Sequence, residues 1–396
     1  MLNRRAFVQS LGVGTAGSLT LLQAELRGQT TGVQERAARP ATPPGAIRIG
    51  SNENPYGPTP AAIEAARTAI AEGHRYGGGA SGMLVAALAK SHGVPPGQIM
   101  MSGGSGDVLR STIQAFTDKT KGLVSGSPSY EQPVRQAKQA GVPVFEVPLT
   151  TDLKLDLPAM LAKTPGTGLL YLCNPNNPTS TIVPVKDVIE VIESVSKASP
   201  GTYVLVDEAY FEYAEDPAFG TVIPLIAKYP QLVVARTFSK IHGMAGMRVG
   251  YAVAQEKTLA TIRQFHSSSG MGIMSVSAAV ASFADTATLQ QNQLLNRQTR
   301  AFTTAAFTKA GYTVAASQAN FVLVDVRRDV KSFIEGCRLK GVVIGRPFPP
   351  LDTWARITIG TQPEMERAMD VFMSTLATAP TAVAGIHPSL TAYWSC

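Results

Sequence analysis

Residues 168–207 read GLLYLCNPNNPTSTIVPVKDVIEVIESVSKASPGTYVLVD. The stretch holds an apolar run at Gly168–Cys173, a turn with two prolines, a helix-length segment at Val185–Ala198 and a second apolar run at Tyr203–Val206. Short, β-rich runs on either side of a helical segment predict a strand–helix–strand unit with parallel strands. Neither run alternates with polar residues, so both faces of each strand are expected to be covered.

The alternation continues outward. Helices are expected at Ala61–Glu72 and Gly82–His92, the second ended by Gly93 and Pro95-Pro96. A strand follows at Ile99–Ser102, and Gly103-Gly104-Ser105-Gly106-Asp107 opens a helix through Phe116. Further strands are expected at Gly122–Ser125, Pro143–Val147 and Leu232–Thr237. Such alternation predicts an α/β protein with a mostly parallel, buried sheet. Ser275–Ala310 reads as one long helix. Beyond it, Asn320–Val326, a helix at Lys331–Lys340, Val342–Ile344, Ala355–Ile359 and a helix at Glu364–Thr375 suggest a smaller α+β unit. Residues 40–75 with 285–380 are assigned to a small domain and N-terminal arm, 76–284 to a large domain, and 381–396 to a tail.

With 396 residues, 44% hydrophobic and 16% charged, the chain has globular composition and enough length for a sizeable core. Its net charge is +7, of which residues 1–30 carry +2 through Arg4, Arg5 and Arg27 against Glu25. The basic residues are dispersed, which suits anionic ligands and argues against nucleic acid. Cys173, Cys337 and Cys396 lie far apart, and the five histidines do not fall at ligand spacing, so neither a disulfide framework nor a metal centre is expected. Arg4-Arg5, then Phe7 and a modest apolar run to Leu22 with three glycines, read as a twin-arginine export signal, with cleavage between about Ala24 and Ala38. A periplasmic or exported protein without a stable membrane anchor is the expectation, cytoplasmic if the signal is not used.

The chemistry gathers at strand ends. Lys240, in Thr237-Phe238-Ser239-Lys240, sits in apolar and glycine-rich company, which lowers a lysine pKa and suits it to condensation with an aldehyde. Ser239 and Arg248 can hold a phosphate nearby. Asp207 ends an apolar strand, where an acid needs a partner such as a protonated ring nitrogen, and Tyr210 could reach a ring oxygen. A lone Asp there is more often a helix N-cap. Asn177, in the turn after Gly168–Cys173, could present its amide to a ring, although Asn-Pro turns are common as structure. Gly104-Ser105-Gly106-Asp107 at a helix N-terminus favours a phosphate. Tyr130 could stack on a planar cofactor or simply pack in the core. Together these residues match the ring nitrogen, ring oxygen, aldehyde and phosphate of pyridoxal 5′-phosphate.

The order and spacing of several motifs resemble those of fold-type I aminotransferases of class I/II, and most of all their histidinol-phosphate aminotransferase branch. The motifs are Ser51-Asn52-Glu53-Asn54-Pro55-Tyr56-Gly57-Pro58, Arg75-Tyr76, Gly104–Leu109, Asn176–Thr179, Asp207–Tyr210, Ser239-Lys240, Ala245–Tyr251 and Arg356–Gly360. The resemblance spans about Ile47 to Leu376. It implies a large domain with a mostly parallel seven-stranded sheet flanked by helices, a smaller α+β domain, and transfer of an amino group between an amino acid or amine and a 2-oxo acid. It implies that Lys240, Asp207 and Tyr210 are catalytic. Ser105, Gly106, Asp107, Tyr130, Asn177, Ser239 and Arg248 would complete the cofactor site. Asn54, Tyr56, Tyr76, Arg346 and Arg356 would bind substrate, with Tyr76 coming from the second subunit of a homodimer. Arg356 would grip a substrate α-carboxylate or, in histidinol-phosphate enzymes, the substrate phosphate.

Three departures from the pattern bear on the substrate. Ser180 stands where the family has glycine, Gly77-Gly78-Gly79 replaces the usual proline after Tyr76, and Gly345–Pro350 resembles aromatic-amino-acid members as much as histidinol-phosphate ones. Lyase, decarboxylase or epimerase chemistry on the same site, and a non-catalytic cofactor-binding role, are the alternatives.

Overall fold

The computed structural model describes residues 45–266 and 271–378; the expected leader and tail lie outside them. After a short first strand β1 (Ile47–Ile49), seven strands build the main sheet. They are β2 (Ile99–Ser102), β3 (Leu123–Ser127), β4 (Val144–Pro148), β5 (Leu169–Cys173), β6 (Tyr203–Asp207), β7 (Leu232–Thr237) and β8 (Gly250–Ala254). Their spatial order is β2-β8-β7-β6-β5-β3-β4. The pairs β4–β3, β3–β5, β5–β6 and β6–β7 are parallel, whereas β8 runs antiparallel to both β7 and β2.

Every residue of β5, β7 and β8 is buried, as unalternating apolar runs require. Alternate side chains enter two cores on the two faces. Leu170, Leu172, Val204, Val206 and Val234 pack with Leu84, Leu88, Val188 and Ile192. Leu169, Tyr171, Leu205, Val233 and Ala235 pack with Leu109, Ile113, Leu259 and Ile262. A separate core around Phe307, Phe333 and Phe372 lies between helices and the remaining strands. These are the antiparallel set β9 (Thr313–Val314), β10 (Phe321–Asp325) and β12 (Trp354–Thr358), and β11 (Val342–Ile344), which pairs in parallel with β1.

Several local expectations are corrected. Ser275–Ala310 is two helices, Ile273–Ala284 and Thr286–Lys309, because Asp285 leaves helical geometry at ψ 62° and accepts the Thr288 N–H at 3.2 Å as an N-cap. Helical periodicity continues through such a cap, so the pattern alone hides it. The helix expected from Gly82 begins at Gly78, so two of the three glycines after Tyr76 open a helix instead of forming a loop. The helix after Pro60 is α-helical to Ala69 and tightens to 3-10 geometry over Ile70–Glu72. Strand β8 was hidden in the glycine-rich run.

The topology gathers the chemistry. β2 runs the same way as β7 because each is antiparallel to β8, so Ser102, Cys173, Asp207 and Thr237 end their strands at one edge of the sheet. Gly250 pairs with Ser102 on one side and Thr237 on the other. A Cβ at Gly250 would lie 2.4 Å from the Ser105 backbone nitrogen, so only glycine lets helix Ser105–Phe116 start this close to the strand. Among the described residues, no helix is long and apolar enough to cross a membrane, and no group of His, Cys, Asp or Glu is arranged to hold a metal.

Candidate active site

At the sheet edge Asp207 is 3% exposed. Its Oδ2 accepts the Tyr171 hydroxyl at 3.0 Å, and the Ala209 backbone also hydrogen-bonds the carboxylate. Oδ1 is buried with no hydrogen-bond partner among the described residues. Burial raises the Asp207 carboxyl to about 6, against the lowering effect of Tyr171, Ala209 and Lys240. A buried acid with one unused oxygen is costly, and a protonated ring nitrogen satisfies it.

Lys240 follows β7 and is half-buried. Its Nζ donates to the Asn52 carbonyl at 3.0 Å and stands 5.4 Å from the Tyr210 ring centre. Burial brings its amine down to about 8; the Arg356 and Arg248 cations push the same way, and Glu53 and Asp207 oppose them. A larger neutral fraction suits it to attack an aldehyde.

Tyr210 is buried, and burial holds its hydroxyl far above the usual range. That oxygen accepts the amides of Asn52 at 3.0 Å and Asn177 at 3.3 Å. Arg356 Nη1 donates to Asn177 Oδ1 at 2.7 Å, which fixes the amide so that its NH2 faces Tyr210. Arg356 Nη2 donates to the Gly50 carbonyl at 2.8 Å, and its Nε is buried with no partner among the described residues. Burial, helped by the Arg346 cation, lowers Arg356 to about 10.

The anion cradle lies at the start of helix Ser105–Phe116, whose first amides lack acceptors within the helix. Gly104 takes φ 94°, and a Cβ there would meet Arg248 Nη2 at 2.2 Å. Arg248 is itself left-handed at φ 56°, and its Nη1 donates to Ser239 Oγ at 3.3 Å and to the Ala245 carbonyl at 2.9 Å. Arg248 therefore brings Ser239 beside Gly104 and the start of the helix at Ser105 and Gly106. The Asp107 carboxylate is turned to other work: it pairs with Arg110 and stands 2.9 Å from His266 Nδ1. Tyr130 is half-buried, with its hydroxyl donating to Gln132 Oε1 at 3.1 Å. The orphaned Asp207 oxygen, the lysine and the cradle fit pyridoxal phosphate in the order the sequence suggests.

Outside this ring, Arg346 pairs with Glu131, and Phe348 lies 4.1 Å from the Arg346 guanidinium and 4.7 Å from that of Arg356. Asn54 spends its amide on the Ile241 carbonyl at 2.8 Å. Tyr56 is 37% exposed and Tyr76 fully exposed, so neither is gathered into the pocket.

Four residues of the site are missing from the sequence-based set: Asn52, Tyr171, Phe348 and Glu131. Asn52 takes φ 54°, a region where Asn is tolerated, and this single residue meets Lys240, Tyr210 and Thr358. The paired asparagines of Ser51–Asn54 were its only signal. Ser180 also adopts a left-handed φ of 59°, which is the conformation that the family's glycine supplies freely.

The family model "Aminotransferase class I and II" matches residues 44–372. A histidinol-phosphate aminotransferase of Symbiobacterium thermophilum is 34% identical over 333 residues, covering 83% of this chain and 90% of that protein. An aromatic amino acid aminotransferase of Streptomyces avermitilis is 32% identical, covering 89% and 95%. The crystal structure of histidinol-phosphate aminotransferase from Sinorhizobium meliloti, in complex with pyridoxal-5′-phosphate, superposes with a TM-score of 0.77 at 28% identity, covering 84% of this chain and 91% of that one.

Proposed function

The chain belongs to the class I and II aminotransferases, and on that premise we propose that its amino donor is histidinol phosphate or an aromatic amino acid, with a 2-oxo acid as acceptor. It is a pyridoxal-phosphate-dependent aminotransferase. The observation that carries the donor reading is Phe348 beneath two guanidiniums, those of Arg346 and Arg356. Phe348 is itself buried and backs the two guanidiniums, whose planes can stack on an aromatic ring or pair with an anionic group.

When bound, the cofactor supplies an electron sink for the bond broken at the donor's Cα. Asp207 Oδ1 would accept the proton of the ring nitrogen. Tyr210 and Asn177 would hold the ring oxygen, and Arg356 fixes the Asn177 amide for that role. Ser105, Gly106, Ser239 and Arg248 would bind the phosphate, and Tyr130 would stack on the ring. Lys240 Nζ would remove the Cα proton and return it on the other side of the transfer. As a free amine, Lys240 Nζ donates to the Asn52 carbonyl, which keeps it beside Tyr210.

Tyr76, fully exposed in one chain, is assigned to the neighbouring subunit's site in a homodimer. Sedimentation of the holoenzyme as a monomer would refute that assignment. The Arg4-Arg5 leader supports export by the twin-arginine route, which a secreted-reporter fusion with Arg4→Lys/Arg5→Lys as control tests.

The donor reading is tested by kcat/KM over a panel of histidinol phosphate and aromatic, acidic and basic amino acids with 2-oxoglutarate. Histidinol phosphate or an aromatic donor leads the panel if the reading is right. An acidic or basic donor in front overturns it.

A further inference from the structure

The pocket beside Arg356 contains an acid for which the chemistry so far has no use. Glu131 follows Tyr130 directly and precedes helix Gln132–Gln139. Its Oε2 is paired with Arg346 Nη2, and its Oε1 is 3.7 Å from Arg135 Nη1. Arg346 also donates through Nη1 to the Pro347 carbonyl at 2.8 Å. Both terminal nitrogens of Arg346 are thus engaged before any substrate arrives, while its guanidinium lies on the Phe348 ring. Arg356, on the same ring, is instead tied to a neutral amide and a backbone carbonyl. The two cations over Phe348 therefore differ: one is neutralised by a carboxylate and the other is not.

We propose that Glu131 is a specificity-determining residue that holds Arg346 in an ion pair and so biases the pocket toward donors with an uncharged aromatic side chain. This rests on the reading that the donor's side chain lies against the two guanidiniums backed by Phe348. An uncharged ring can stack on the guanidinium planes that the buried Phe348 supports, with the Glu131–Arg346 pair intact. A phosphorylated or carboxylated side chain takes Arg346 Nη2 only by displacing the Glu131 carboxylate, and at any other edge of the guanidinium it meets a neutralised cation with a like charge for a neighbour. Selectivity here comes from a built-in competitor and not from a missing arginine.

The test compares wild type, Glu131→Gln and Arg346→Gln as holoenzymes, with histidinol phosphate and L-phenylalanine as donors and 2-oxoglutarate as acceptor. The quantity read is the ratio of kcat/KM for histidinol phosphate to that for phenylalanine. Glu131→Gln should move this ratio about tenfold toward histidinol phosphate, because it frees Arg346 and removes the competing charge. Arg346→Gln should move it in the opposite direction. A general loss of packing lowers both donors together and leaves the ratio in place. Active variants whose ratios stay within twofold of wild type overturn the role of Glu131 and leave the donor reading standing. A wild type that uses neither donor overturns the donor reading and the role of Glu131 with it.

Discussion

Asp207→Asn should make the cofactor-free protein more stable at neutral pH while weakening its hold on the cofactor. Asp207 has one oxygen satisfied by Tyr171 and one without a partner among the described residues. Burial raises its carboxyl from 3.8 to about 6. The folded state therefore favours the neutral acid. The contribution of that neutral form is complete below about pH 4 and is lost as pH rises through about 6. At pH 7 the charge is present in folded and unfolded chains alike, and the folded state carries its burial cost. Each pH unit between the two values is worth about 1.4 kcal/mol, so removing the charge gains at most about 3 kcal/mol. The asparagine still leaves one polar atom to satisfy, which makes this an upper bound. For a folded part of about 330 residues, unfolding entropy of about 2.1 cal/mol/K per residue converts the gain to a midpoint rise of roughly 4 °C. The assay is thermal unfolding of apo wild type and apo Asp207→Asn by circular dichroism between pH 4 and 8, repeated with pyridoxal phosphate. The difference between the two proteins should open between pH 4 and 6 and stay open above. Added cofactor should raise the wild-type midpoint more than the variant's. A variant no more stable at pH 7, or a difference indifferent to pH, would refute the idea that Asp207 is held at a cost for the ring nitrogen.

Arg236 and Glu208 pair at the exits of β7 and β6, with Nε–Oε2 at 2.8 Å and both side chains buried. Arg236→Met leaves Glu208 charged and buried, costing about 3–5 kcal/mol in denaturant unfolding; a loss under 1 kcal/mol would contradict the pairing. Gly250→Ala should loosen cofactor binding, seen as a raised pyridoxal phosphate Kd, because the added methyl displaces the Ser105 amide; an unchanged Kd would mean that this amide plays no part in the cradle. Lys240 is lowered to about 8, so recombination of apoenzyme with pyridoxal phosphate should speed up as pH rises and level off above about 8. A midpoint near 10 in stopped-flow measurements would show an unperturbed amine.

How far the sequence reached depended on the kind of signal. The strand ends carrying Asp207 and Lys240 were legible because unalternating apolar runs mark buried strands and a charged residue at their exit is conspicuous. Helix Ser105–Phe116 was legible from its glycine-rich opening. β8 was not, because its direction depends on pairing with β7 and β2, which no local pattern encodes. The break at Asp285 was hidden because the cap sits inside continuous helical periodicity. In the site, Lys240 and Asp207 stood out by charge. Asn52 did not, because its role comes from a left-handed backbone and a contact with Thr358 about 300 residues away. Glu131 looked like any surface acid until Arg346 was brought beside it from the other end of the chain.

The central claim is that the edge formed by Asp207, Tyr210 and Lys240 is where pyridoxal phosphate is held, covalently through Lys240. Borohydride reduction of the holoenzyme, followed by peptide mass mapping, addresses it directly. The account predicts a single phosphopyridoxyl label, on the peptide containing Lys240, and none on Lys240→Ala. A label on another lysine, or an unlabelled Lys240 in active enzyme, would contradict it.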